Sequence, residues 1–157
     1  MTNEQNDLES IASESVGKII FALSQLEFNL NLCFQWLIRA EDFHTVNPLI
    51  ERLSFKSKID ALNEIIEIKF SSSPECISDF RLWSQKLDKF RVKRNSFMHG
   101  RWGFQYGDQA ILNVAPGMIG TKRLKETRYS VDELKAELLL IKAISKEFIS
   151  IREKWQI

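Results

Sequence analysis

The sequence predicts an all-α fold, an antiparallel four-helix bundle with a small β-hairpin between the third and last long helices. Three observations carry this. Apolar residues recur about every 3.6 positions through four long segments. Ser130-Val131-Asp132-Glu133 is a capping box opening the last of them. Between Arg101 and Val114 the helical period gives way to alternation, broken by Gly107-Asp108. A chain of 157 residues is long enough to bury a proper core, and no repeat or linker divides it, so 1–157 is read as one domain.

The first helix is expected from Leu8 to Arg39. Val16, Ile20, Leu23, Leu30, Phe34 and Leu37 form its core stripe, and the rung between Leu23 and Leu30 is Glu27. A second apolar row, Phe21, Phe28, Leu32 and Trp36, is covered either by the C-terminal segments or by a partner chain. His44 falls in a connection and is expected in an exposed loop. Asn47-Pro48 reads as a helix start, with asparagine as cap. Ser54 opens a further helix or marks a kink, and Phe55, Ile59, Leu62 and Ile66 carry the stripe to about Phe70. Lys56 and Lys58 bracket this helix start, an unfavourable place for cations unless an anion is near, which hints at a phosphate contact.

Ser73-Pro74 starts the third long helix. Its basic part, Phe80 to Met98, puts Phe80, Trp83, Leu87, Phe90 and Phe97 on one stripe with Arg94 on the rung between the last two. After Gly100 come two expected strands, Arg101 to Tyr106 and Ala110 to Val114, turning at Gly107-Asp108. Ala115-Pro116-Gly117 makes a second turn, and Thr127-Arg128-Tyr129 adds a short extended piece. The last helix runs to about Trp155 with Leu134, Leu138, Ile141, Phe148, Ile151 and Trp155 inward.

Composition excludes several classes. No apolar run reaches the length of a membrane span and the polar N-terminus is no signal peptide, so a cytoplasmic protein without membrane attachment is expected. Cys33 and Cys76 have no paired spacing and read as reduced, packed thiols. With only His44 and His99 as histidines, and Glu64, Glu67, Asp79 and Asp88 scattered without ligand-like spacing, no metal and no cofactor is expected. Formal net charge is +1, but Arg81, Lys86, Lys89, Arg91, Lys93, Arg94 and Arg101 face Asp88 alone. Lys122, Arg123, Lys125 and Arg128 follow. Local positive charge of this kind attracts a polyanion.

The basic helix ends in Arg94-Asn95-Ser96-Phe97-Met98-His99-Gly100. An arginine on an apolar stripe needs a carboxylate, an anionic ligand or access to water, because burying it unpaired costs several kcal/mol. Glu27, a carboxylate in the seam of the first helix, is expected beside it; the alternative places Glu27 at the seam edge, reaching water. Gly100 is expected to close the helix in a left-handed conformation. His99 then sits at the last turn, where free carbonyls favour a cation. Asn95 and His99 share a face, with Arg94 about 140° away around the helix. One fixed cation, one amide and one titratable ring at a helix end suit a phosphate ester.

Arg94-x-x-x-x-His99, with a polar residue after the arginine and glycine after the histidine, resembles the motif of HEPN domains. The resemblance implies a helical-bundle homodimer with two such motifs facing each other, and a metal-independent endoribonuclease. It assigns Arg94 to charge stabilisation, His99 to proton transfer and Asn95 to orienting the phosphate or the histidine. Glu27 is a supporting residue, and Lys93, Arg91, Arg101, Lys58 and Trp102 are candidate RNA contacts. Expected partners are RNA (tRNA or mRNA), a second copy of the chain and an antitoxin-like protein of a toxin or phage-defence system. Two other readings stand beside it: a HEPN-like module that binds nucleotides or RNA without cutting, and a structural ion pair of Arg94 with Glu27 in which His99 only caps the helix.

Overall fold

A computed structural model describes residues 3–115 and 126–157. The chain is mostly helical, with one small antiparallel sheet. In order come α1 (Asn3–Leu37), α2 (Phe43–Ile50), α3 (Phe55–Lys69), α4 (Pro74–His99), β1 (Arg101–Gln105), a 3-10 turn (Tyr106–Asp108), β2 (Ala110–Val114), β3 (Glu126–Tyr129) and α5 (Val131–Trp155). Among the described residues no helix is long and apolar enough to cross a membrane. Two compact units can be distinguished, Met1–Leu23 with Val92–Lys142 and Ser24–Arg91 with Ala143–Ile157.

The first unit holds the start of α1, the end of α4, the sheet and the first part of α5. Its buried residues include Ala12, Ile19, Leu23, Phe97, Ile111, Leu134 and Ile141. The sheet order is β1-β2-β3, with register running from Arg101↔Val114 to Gln105↔Ala110 and from Ile111↔Tyr129 to Val114↔Glu126. The expected hairpin is thus one edge of a three-stranded sheet, closed through the 3-10 turn and a left-handed Gln109 (φ 48°). Alternation sends Ile111 and Asn113 inward. At α5 the capping box forms as read: Glu133 Oε2 accepts from Ser130 N at 2.7 Å and Ser130 Oγ accepts from Glu133 N at 3.2 Å. Pro116 and Gly117 of the second expected turn, and Lys122, Arg123 and Lys125 of the second basic group, lie outside the described residues.

The second unit is built on aromatic packing. Trp83 stacks on Phe148 with ring centroids 4.4 Å apart, and its indole N–H donates to the Ile144 carbonyl at 2.9 Å. Leu26, Leu30, Ile59, Leu62, Ile66, Phe80, Leu87 and Phe90 fill the space around them. Cys33 and Cys76 are free and buried, and burial pushes the Cys33 thiol up to about 12 against the opposing charge of Arg152.

Three local expectations need correction. The buried line of α1 runs through Ala12, Ile19, Leu23, Leu26 and Leu30, so Val16 and Ile20 flank it and the rung before Leu30 is Leu26, not Glu27. Asn47-Pro48 does not begin a helix. Asp42 caps α2, its carboxylate accepting from His44 N at 3.0 Å, and Pro48 lies near the other end. A proline cannot continue the i→i−4 ladder, and α2 stops soon after it. His44 is accordingly exposed but helical. Ser54 is a cap, accepting from Ser57 N at 3.1 Å. Of the second apolar row on α1, Phe28 and Trp36 in the second unit are 55% and 62% exposed, and Phe21 in the first is 65% exposed.

Candidate functional site

The end of α4 is held by the sheet of its own unit. Asn113 projects inward from β2, opposite Trp102 and Thr127, and is fully buried. Its Nδ2 donates to the Ser96 carbonyl at 3.1 Å, and the Ser96 hydroxyl donates to its Oδ1. The same carbonyl accepts from Gly100 N at 2.8 Å. A Cβ on Gly100 would lie 2.5 Å from Asn113 Nδ2 and 2.9 Å from Oδ1. Glycine is therefore required by close approach, and its φ lies outside the left-handed range expected from the sequence.

Aromatic rings lock the same turn. Phe97 is buried and stacks on Trp102 with parallel rings 5.6 Å apart, and Tyr129 leans on both. Trp102 Nε1 donates to the Phe97 carbonyl at 3.2 Å. Burial and the nearby carboxylates Glu137 and Glu133 push the Tyr129 hydroxyl up.

On this fixed end Arg94 is half-buried, with Nη1 donating to Asn95 Oδ1 at 3.3 Å, and Asn95 itself is exposed. His99 is the last residue of α4 and is exposed. Among the described residues the His99 ring makes no hydrogen bond. The tip thus presents a guanidinium, a carboxamide and an imidazole on a rigid base. Arg101, two residues on, is exposed and forms no ion pair among the described residues. Phe104 and Tyr106 stack on each other at 6.0 Å, with Tyr106 the more open to solvent.

The contacts of the other expected site residues are described within their own units. Lys93 is in the same unit but its ammonium rests on Glu137. Trp102 packs the sheet against α4. Arg91, Glu27 and Lys58 belong to the second unit. There Arg91 Nε donates to Asp88 at 2.7 Å and holds that carboxyl below the usual carboxylate range. Lys58 is 3% exposed and its Nζ lies 2.7 Å from Glu27. Lys56 is 2.6 Å from Asp60 and 3.7 Å from Asp88. The anions expected at the start of α3 are the chain's own carboxylates, and a buried Lys58 is not a surface contact for phosphate.

Sequence reasoning missed Asn113 and the role of Ser96. A signal was present: an asparagine within Ile111-Leu112-Asn113-Val114, at an inward register position where strands disfavour it. Among the described residues no cluster of three or more His, Cys, Asp or Glu could hold a metal ion. Comparison of the chain with family models, with curated proteins and with solved structures gives no match.

Proposed function

We propose that the chain is a metal-independent endoribonuclease of HEPN type, working as a homodimer in which two α4 tips form one site. The observation that supports this best is that an exposed His99 and a half-buried Arg94 stand on one helix end, which the Ser96–Asn113 hydrogen bonds fix. A catalytic group on a rigid support loses little freedom when substrate arrives.

The chemistry is a transesterification. His99 of one copy takes the proton of a ribose 2′-hydroxyl, and the 2′-oxygen attacks phosphorus. The P–O5′ bond breaks, and a second imidazole returns a proton to the leaving oxygen. Arg94 stabilises the charge gathered on the phosphorane oxygens, and Asn95 orients phosphate or imidazole. One tip supplies one ring, so acid and base together require two copies. Arg101, exposed two residues beyond His99, is the first of the expected RNA contacts in this reading. The four-helix bundle, a cytoplasmic setting, an RNA substrate such as tRNA or mRNA, and an antitoxin-like partner in a toxin or phage-defence system belong to the same proposal.

A second reading has one observation in its favour. His99 lacks a hydrogen-bond partner among the described residues to fix its ring, which suits a HEPN-like module that binds RNA or nucleotides without cutting them.

Incubation with end-labelled tRNA or total RNA in EDTA, beside Arg94→Ala and His99→Ala, separates the two. Cleavage by the wild type that both variants lose supports the nuclease. Retention of RNA without cleavage supports the module. Absence of both cleavage and binding contradicts both readings, and sedimentation as a monomer at tens of micromolar contradicts the composite site.

A further inference from the structure

A surface groove of about 780 Å³ opens in the second unit, at the ends of α1 and α5. Trp36, Arg39, Arg152, Gln35 and Gln156 line it. Its volume is that of a small-molecule site. Trp36 is 62% exposed, yet its indole N–H donates to the Gln156 carbonyl at 3.0 Å. The ring is thus oriented in advance while its surface stays open.

Both arginines carry unspent donors. Arg39 is exposed, and its guanidinium makes no hydrogen bond or ion pair among the described residues. Arg152 spends Nε on the Ile157 carbonyl at 2.9 Å and lies 5.8 Å from the centroid of the Phe148 ring. Its two terminal nitrogens are not engaged among the described residues. The carbonyls at the ends of α1 and α5 attract these cations without neutralising them.

The backbone supplies a further sign. Arg39 and Gln156 both have φ of 55°, the left-handed region where glycine would be unstrained. Of the three non-glycine residues in that conformation among those described, these two line this groove. Such outliers concentrate at ligand sites as well as at helix ends.

We propose that this groove binds a nucleoside phosphate, the phosphate held by Arg39 and Arg152 and the base laid on Trp36. Guanidinium groups match phosphate oxygens in pairs, and a flat base covers an exposed indole. A free nucleotide and the 5′-phosphorylated end of an RNA share this chemistry. The groove shares no residue with the α4 tip, and its binding does not depend on that tip being a nuclease.

The test is titration of the full chain with ADP, adenosine, pyrophosphate and a short oligonucleotide with and without 5′-phosphate, read by tryptophan fluorescence and calorimetry. ADP should quench fluorescence and saturate below about 1 mM, with adenosine weaker by roughly tenfold or more. Arg39→Gln, at an exposed position and checked for an unchanged melting temperature, should weaken ADP by roughly tenfold. Trp36→Leu should abolish the quench and equalise ADP with pyrophosphate. Preference for the 5′-phosphorylated oligonucleotide over its 5′-hydroxyl form would place an RNA end in the groove, and ADP binding alone a free nucleotide. Equal binding of adenosine and ADP, full affinity in Arg39→Gln, or binding of a polyglutamate peptide but of no nucleotide overturns the proposal.

Discussion

Asn113 Nδ2 donates to the Ser96 carbonyl at 3.1 Å while the Ser96 hydroxyl donates back to Asn113 Oδ1, so one residue of β2 satisfies its buried amide on one residue of α4. Removing one side of such a pair leaves polar atoms unpaired in the interior. Asn113→Leu should therefore cost about 1–3 kcal/mol, or several degrees in melting temperature. Thermal unfolding followed by circular dichroism checks this, and a melting temperature within a degree of wild type would remove the clasp from the account.

Gly100 tests the same contact from the other side. Its Cβ would sit 2.5 Å from Asn113 Nδ2, and the Ser96 carbonyl is also in the way. Gly100→Ala should destabilise by more than the few tenths of a kcal/mol usual for a surface change, about 1–3 kcal/mol, because backbone must shift. Urea unfolding gives the number; a neutral or stabilising substitution contradicts the packing described.

The Glu27–Lys58 pair predicts an asymmetry. The Lys58 side chain is 4% exposed and that of Glu27 30%. Glu27→Gln leaves a buried ammonium without its counter-charge and should cost about 2–4 kcal/mol, somewhat below a fully buried pair. Lys58→Met leaves a carboxylate with access to water and should cost less. Chemical denaturation of both variants settles the order, and the reverse order would sink this description.

Acid should loosen the second unit. Hydrogen bonds from Lys154 and Trp155 hold the Asp79 carboxyl below its ordinary value, and Arg91 does the same for Asp88. A carboxylate with a lowered folded pKa adds stability above its unfolded value of about 4, lost as pH falls through the folded one. The urea midpoint should drop from about pH 5 downward, and Asp79→Asn should flatten that drop. An unchanged slope in the variant speaks against the Asp79 contacts.

Much of the secondary structure could be read in advance because local chemistry decides it. Ser54 and Ser130 cap where expected, and the α4 stripe from Phe80 to Phe97 is buried as periodicity required. What stayed hidden depends on residues far apart in the chain. Leu26 and Glu27 are adjacent, so a period of about 3.6 cannot decide between them without the neighbouring helix. Lys58 reads as a phosphate contact in the sequence because its partner, Glu27, lies 31 positions away. Asn113 lies 17 residues from Ser96, and nothing local announces that the strand will close on the helix end. Arg94, Asn95 and His99 were visible because they sit within one helical turn and its neighbour.

The chemistry proposed for the α4 tip is tested most directly by the ends of the RNA fragments. Attack by a 2′-hydroxyl under His99 and Arg94 predicts 2′,3′-cyclic phosphate and 5′-hydroxyl termini, with no cut where the 2′-hydroxyl at the cleaved position is replaced by hydrogen. Termini bearing 5′-phosphate and 3′-hydroxyl, or cleavage of the 2′-deoxy substrate, would contradict the proposed mechanism.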